Sequence, residues 1–128
     1  MKKCLLWVLG VAAYFAVPAW AHHSFSAQFD ASKPVILTGK VTEFELIMPH
    51  SWVHLQATDG TAEASAWSVE FASSRQLFRN GLNKDSLPPG MEVIIEGRLA
   101  RDGTNTAHGL SIETPDGRVL YQGAIQGD

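Results

Sequence analysis

At 128 residues, with 10 basic and 13 acidic side chains, five histidines and one cysteine, the chain is sized for one small domain with one core. A formal net charge of −3 gains nothing from neutralising phosphates, which excludes nucleic acid as an expected partner. The charges are scattered and no repeat or low-complexity tract occurs, so they read as an ordinary solvated surface.

Residues 1–21 read as a signal peptide. Lys2 and Lys3 supply a positive start, an apolar run extends from Leu5 to Val17, and Ala19-x-Ala21 carries the small residues of a cleavage site. The run falls short of the roughly 20 apolar residues of a membrane span, so no stable membrane insertion is expected after cleavage. Removing 21 of 128 residues leaves 107, with 8 basic against 13 acidic residues and a net charge of −5. Cys4 leaves with the signal, which excludes disulfides and thiolate metal sites from a product destined for the periplasm or the exterior. Cleavage after Ala21 makes His22 the first residue. Its α-amine, with a pKa near about 8, and its own Nδ1 can then close a chelate ring on one metal ion. A shift of one bond puts His23 first instead.

Residues 22–34 are polar, lack clear periodicity and read as an N-terminal arm, with the folded domain over residues 35–128. Val35, Leu37, Gly39 and Val41 alternate with Ile36, Thr38 and Lys40, and Phe44 and Leu46 continue the strand past a bulge. Gly39 inside that strand marks a bend or a close backbone approach. Residues 51–57 form a second strand, ended by the turn signal Asp59-Gly60. Residues 66–71 form a third, with Trp67, Val69 and Phe71 sharing one face.

Ser73-x-x-Gln76 then has the form of a capping box at the start of a short helix. Leu77 and Phe78 supply its apolar side, and Gly81 is placed to take the left-handed position after it. Residues 91–99 read as a fourth strand and residues 107–113 as a fifth, separated by a loop at Asp102-Gly103. Pro115-Asp116-Gly117 turns the chain into a short final strand over 118–122. The fold expected is all-β with one short helix, in the element order of an OB-like five- to six-stranded barrel. A β-sandwich is the competing architecture, because strand order does not distinguish closure from stacking.

Several segments together resemble a known family. They are His22-His23-Ser24-Phe25, Phe29-Asp30 with Lys33-Pro34, residues 37–41, Pro49-His50-Ser51-Trp52, Val69-Glu70, residues 84–87 with Pro89-Gly90, and Arg101-Asp102-Gly103. On these the chain is similar to the small secreted bacterial proteins of domain of unknown function 6152. That family usually has Asn before its Pro-His pair, where this chain has Met48. The resemblance implies no activity, so the chemistry rests on the residues.

Copper(II) favours tetragonal nitrogen sites, for which neutral imidazole and amine are suitable donors. His22 can give its amine and Nδ1, and one further imidazole completes a three-nitrogen site like a histidine brace. His23 offers a competing mode through the same amine. His50 and His54 lie four residues apart, about 13 Å on a regular strand, so they share an ion only if the chain bends between them. His50, after Pro49 at a loop-to-strand junction, is the better remote ligand; His54 and His108 are the reserves. The bland reading makes His22 and His23 ordinary terminal residues, His50 a turn residue and His54 a surface strand residue.

A second reading is a binding module with no metal, taking a saccharide, a peptide or a periplasmic protein. Its surface is Trp52, His54 and Gln56 on one strand with Ser68 and Glu70 across the sheet, and Glu70 is also placed to orient His50 or His54. No hydrolase elbow, zinc-protease helix, cysteine nucleophile or phosphate loop occurs in the sequence.

Overall fold

The computed structural model describes residues 25–123. The signal segment, His22 and His23 lie outside the described residues. The elements run α1 (Phe25–Gln28), β1 (Phe29–Glu45), β2 (Ser51–Thr58), β3 (Ser65–Phe71), α2 (Ser74–Arg79), β4 (Glu92–Ala100), β5 (Thr106–Glu113) and β6 (Val119–Gln122). The protein is a mostly antiparallel six-stranded sheet in the order β3-β2-β1-β4-β5-β6. A parallel pairing of β3 with β5 joins the far strand back, so the first five strands pair in a ring.

Period-two alternation builds the core. Leu37, Val41, Val53, Leu55, Val69, Phe71, Val93, Ile95 and Ile112 are all buried, each on the inward face of its strand. The bulge expected in β1 is present as a register shift between Val41 and Glu43. At Gly39, a Cβ would stand 2.1 Å from the backbone oxygen of Gln56, so the close approach of β2 requires glycine there.

Two differences from the expected elements bear on function. The sheet begins at Phe29, six residues before Val35, because Phe29 is buried and pairs with Ala100 while a register shift lets residues 30–33 bulge away from β4. Part of the polar arm therefore belongs to the sheet, and a helical turn precedes it. In α2, Ser73 caps the helix as expected by accepting from the Gln76 amide, and Leu77 is buried. Phe78 does not join it: it is 69% exposed, because successive helix residues point about 100° apart and the face that buries Leu77 turns its neighbour toward solvent. Among the described residues no helix is long and apolar enough to cross a membrane.

Candidate functional site

Backbone register assembles the polar row at the heart of the site. Glu70 on β3 lies opposite Trp52 of β2 on one side and opposite His108 of β5 on the other, and residues opposite one another on neighbouring strands share a face of the sheet. The parallel β3–β5 pairing thus puts His108 beside Glu70, a neighbourhood that strand order alone does not reveal.

His50 joins this row from the loop before β2. Ser51, fully buried, holds that loop: its hydroxyl donates to the Ile47 carbonyl and accepts from the Ile47 amide, both at 3.2 Å, while its own amide donates to Ala72. So fixed, His50 Nδ1 meets Glu70 Oε1 in an ion-pair contact. Only 7% of the Glu70 side chain is exposed, against 55% of His50. The carboxylate is therefore an internal support for a ring that faces outward. Nothing among the described residues engages His50 Nε2.

His54 is differently placed. Its Nδ1 bonds the Ser68 hydroxyl at 2.9 Å and its Nε2 the Glu45 carboxylate at 3.0 Å, and its ring stacks beside Trp52 with centroids 6.5 Å apart. His54, Trp52 and Ser68 share the face expected from alternation. The structure does not bring His54 to His50: each imidazole has its own carboxylate, and only His54 has both nitrogens occupied. Glu45 as the partner of His54 was not foreseen; it lies opposite Trp52 in the β1–β2 register, which the bulge at Val41/Glu43 sets.

His108 packs against two aromatic rings, Phe25 of α1 at 4.9 Å edge-on and Phe29 at 5.5 Å. Burial, together with the nearby charge of His50, lowers its pKa from the ordinary 6.5. At neutral pH His108 is an uncharged imidazole. Trp52, half-buried, and Glu70 line an open pocket of about 580 Å³ with Phe29, Arg101 and Thr106. Among the described residues no group of three or more His, Cys, Asp or Glu is arranged to hold a metal ion.

The lowered pKa of His108 has a consequence for the metal-free protein. The unfolded chain takes up a proton at this histidine near 6.5, whereas the folded chain does so only at lower pH. Across that interval the unfolded state binds more protons, so this contribution to stability is present above 6.5 and is lost as pH falls through the folded value. The groups facing His108 are His50, Glu70 and, on β4, Arg98. Urea unfolding at pH 7.5 and 5.5 should show the wild type losing more stability on acidification than His108→Gln; equal losses would refute the assignment.

The Pro-His segment, Val69-Glu70, Phe29-Asp30 and Arg101-Asp102-Gly103, far apart in sequence, all contribute residues to this one end of the sheet. A family model described as a family of unknown function, DUF6152, matches residues 11–111. No curated protein and no solved structure matches the chain.

Proposed function

The chain belongs to the DUF6152 family of unknown function, whose model spans 101 of its 128 residues, and since the family description names no activity we propose from the residues that this is an exported copper-binding protein. In this reading the α-amine and Nδ1 of a mature N-terminal His22 bind copper(II) together with Nε2 of His50. The observation that carries it is the buried Glu70 holding His50 by Nδ1 and leaving Nε2 outward. Metal-bound histidines commonly donate their other ring N–H to a carboxylate, which fixes tautomer and orientation.

One further observation supports the reading. Phe25 packs on His108 at the same corner, and three residues of extended chain span about 10 Å at most. Position 22 therefore lies no further than that from Phe25, whose ring packs on His108. The reading takes its remaining donors from the chain that precedes α1, since among the described residues no group of three or more His, Cys, Asp or Glu is arranged to hold a metal ion. His54, with both nitrogens occupied, stays behind His50 as the remote ligand, and His108, which sits opposite Glu70 at the same corner, moves ahead of it.

The test is copper(II) titration with electron paramagnetic resonance on protein beginning at His22. His50→Ala should weaken binding and alter the spectrum, and His54→Ala should leave both as they are. Identical behaviour of His50→Ala and wild type would reduce the binding to that of a loose His-His terminus and reject the reading. The pocket beside Trp52 favours one alternative, a metal-free module that stacks a saccharide or peptide on the indole. That reading requires neither His50 nor a free α-amine.

A further inference from the structure

Three hydrogen bonds hold the Ile47 backbone. Its amide donates to the Ser51 hydroxyl, which donates in turn to its carbonyl, both at 3.2 Å, and the same carbonyl accepts from the Ser74 amide at 2.9 Å. The loop between β1 and β2 is thereby fastened to the first residue of α2. Its apolar side chains nevertheless face water: Ile47 is 46% exposed and Met48 62%. Phe78 follows Ser74 by one helical turn, and so rises from the side of α2 that the loop abuts. Ile47, Met48 and Phe78, three of the five large apolar residues exposed among the described residues, are thus gathered at one corner. Such residues are ordinary when scattered singly; grouped on a fixed backbone they mark a contact surface.

The charge at this corner is of one sign. Arg75 and Arg79, also one turn apart, are exposed on the outer face of α2, opposite the buried Leu77. Neither forms an ion pair among the described residues. No Asp or Glu occurs in residues 46–50 or 71–83, although the chain carries 13 of them. Lys84 belongs elsewhere, lining a separate pocket with Glu43 and Asp85. Salt screens the acidic remainder of the surface beyond about 8 Å, so the two arginines act as a local positive site on an acidic protein. Neither that pocket nor the one beside Trp52 is lined by Ile47, Met48 or Phe78, so neither cavity offers a slot here for a protein segment. A lipid surface is fluid and needs none. We propose that this corner docks the protein on an anionic bilayer, with Phe78, Met48 and Ile47 entering the headgroup boundary and Arg75 and Arg79 pairing with lipid phosphates. In this placement the protein lies on the membrane and does not span it, and nothing in it depends on copper.

The test is co-sedimentation of protein beginning at His22, which keeps every described element and leaves out the apolar run near the start of the chain. The vesicles are phosphatidylglycerol and phosphatidylcholine in equal parts, or phosphatidylcholine alone. The protein should favour the anionic vesicles by about tenfold or more, and added salt should shrink the preference. Arg75→Gln combined with Arg79→Gln should weaken binding to them roughly twentyfold, and Phe78→Ser about tenfold. Ile36→Thr, at an exposed isoleucine earlier in β1, should bind as wild type does. No binding to the anionic vesicles, equal binding to both kinds, or an equal loss in Ile36→Thr would overturn the proposal. A concentration-dependent dimer that Phe78→Ser abolishes, without vesicle binding, would assign the corner to a second copy of the chain instead. If Phe78→Ser does not fold, the double arginine variant, at two exposed positions, still decides.

Discussion

Gly109→Ala is expected to lower the thermal unfolding midpoint by more than about 10 °C. A Cβ at Gly109 would fall 2.1 Å from the Phe71 ring, with two further ring atoms at 2.2 and 2.7 Å. Phe71 is 1% exposed and its ring meets Tyr121 edge-on, so it has nowhere to retreat. Packed interiors do not yield by ångströms without strain. The clash is with a side chain, which makes it reversible: Phe71→Leu clears the ring, and the double variant should be less destabilised than the sum of the singles. Simple additivity would show that the methyl is accommodated elsewhere. Gly39→Ala is the contrasting case, because its Cβ meets the backbone oxygen of Gln56. No second side-chain change should rescue it.

Copper(II) affinity should fall by about a hundredfold or more in His50→Ala, and by roughly ten- to a hundredfold in Glu70→Gln, the range typical of losing a supporting partner. The two variants differ in kind. His50→Ala removes a nitrogen donor, so the spectrum should change as well as the affinity. Glu70→Gln leaves the imidazole but replaces a carboxylate acceptor by a weaker neutral one, so the donor set should persist while binding weakens. Folding should tolerate both. His50 is half-exposed, and the glutamine removes a charge from a position where only 7% of the side chain meets water, a change that relieves desolvation even as it weakens a bond. Thermal midpoints within a few degrees of wild type are the control. Full copper affinity in a folded Glu70→Gln protein would show that the buried carboxylate does not orient the ligand.

Much of the sheet was readable because burial enforces alternation. Trp67, Val69 and Phe71 share an inward face in the sequence pattern and in the structure alike, and Ser73, Gly39 and the Asp-Gly turns announce a cap, a close approach and reversals through local chemistry. The start of β1 was not readable, since Asp30, Ser32 and Lys33 bulge outward and hide the one buried residue, Phe29, that restarts the pairing. Phe78 was expected inside and lies outside, because in six residues the helical period is too short to be measured. At the site, period two correctly grouped Trp52, His54, Ser68 and Glu70 on one face. It did not decide which carboxylate each histidine takes. That depends on the bulge in β1, on Ser51 fixing the preceding loop, and on the parallel meeting of β3 with β5, all of them relations between distant segments. For the same reason nothing in the sequence ranks His108 above His54, although His108 is the one that shares a corner with His50.

The parallel β3–β5 pairing also governs when the corner can exist at all. Glu70 and His108 are separated by the whole of α2 and β4, and the Phe25 ring that covers His108 comes from the opposite end of the chain. Contacts between such distant segments form slowly, after local turns and hairpins. A chain beginning to fold would first offer its histidines singly, each no different from a histidine in a peptide. Only when β5 has docked does His108 lie beside Glu70, with Phe25 and Phe29 closed over it. Formation of this corner is therefore a report of completed folding.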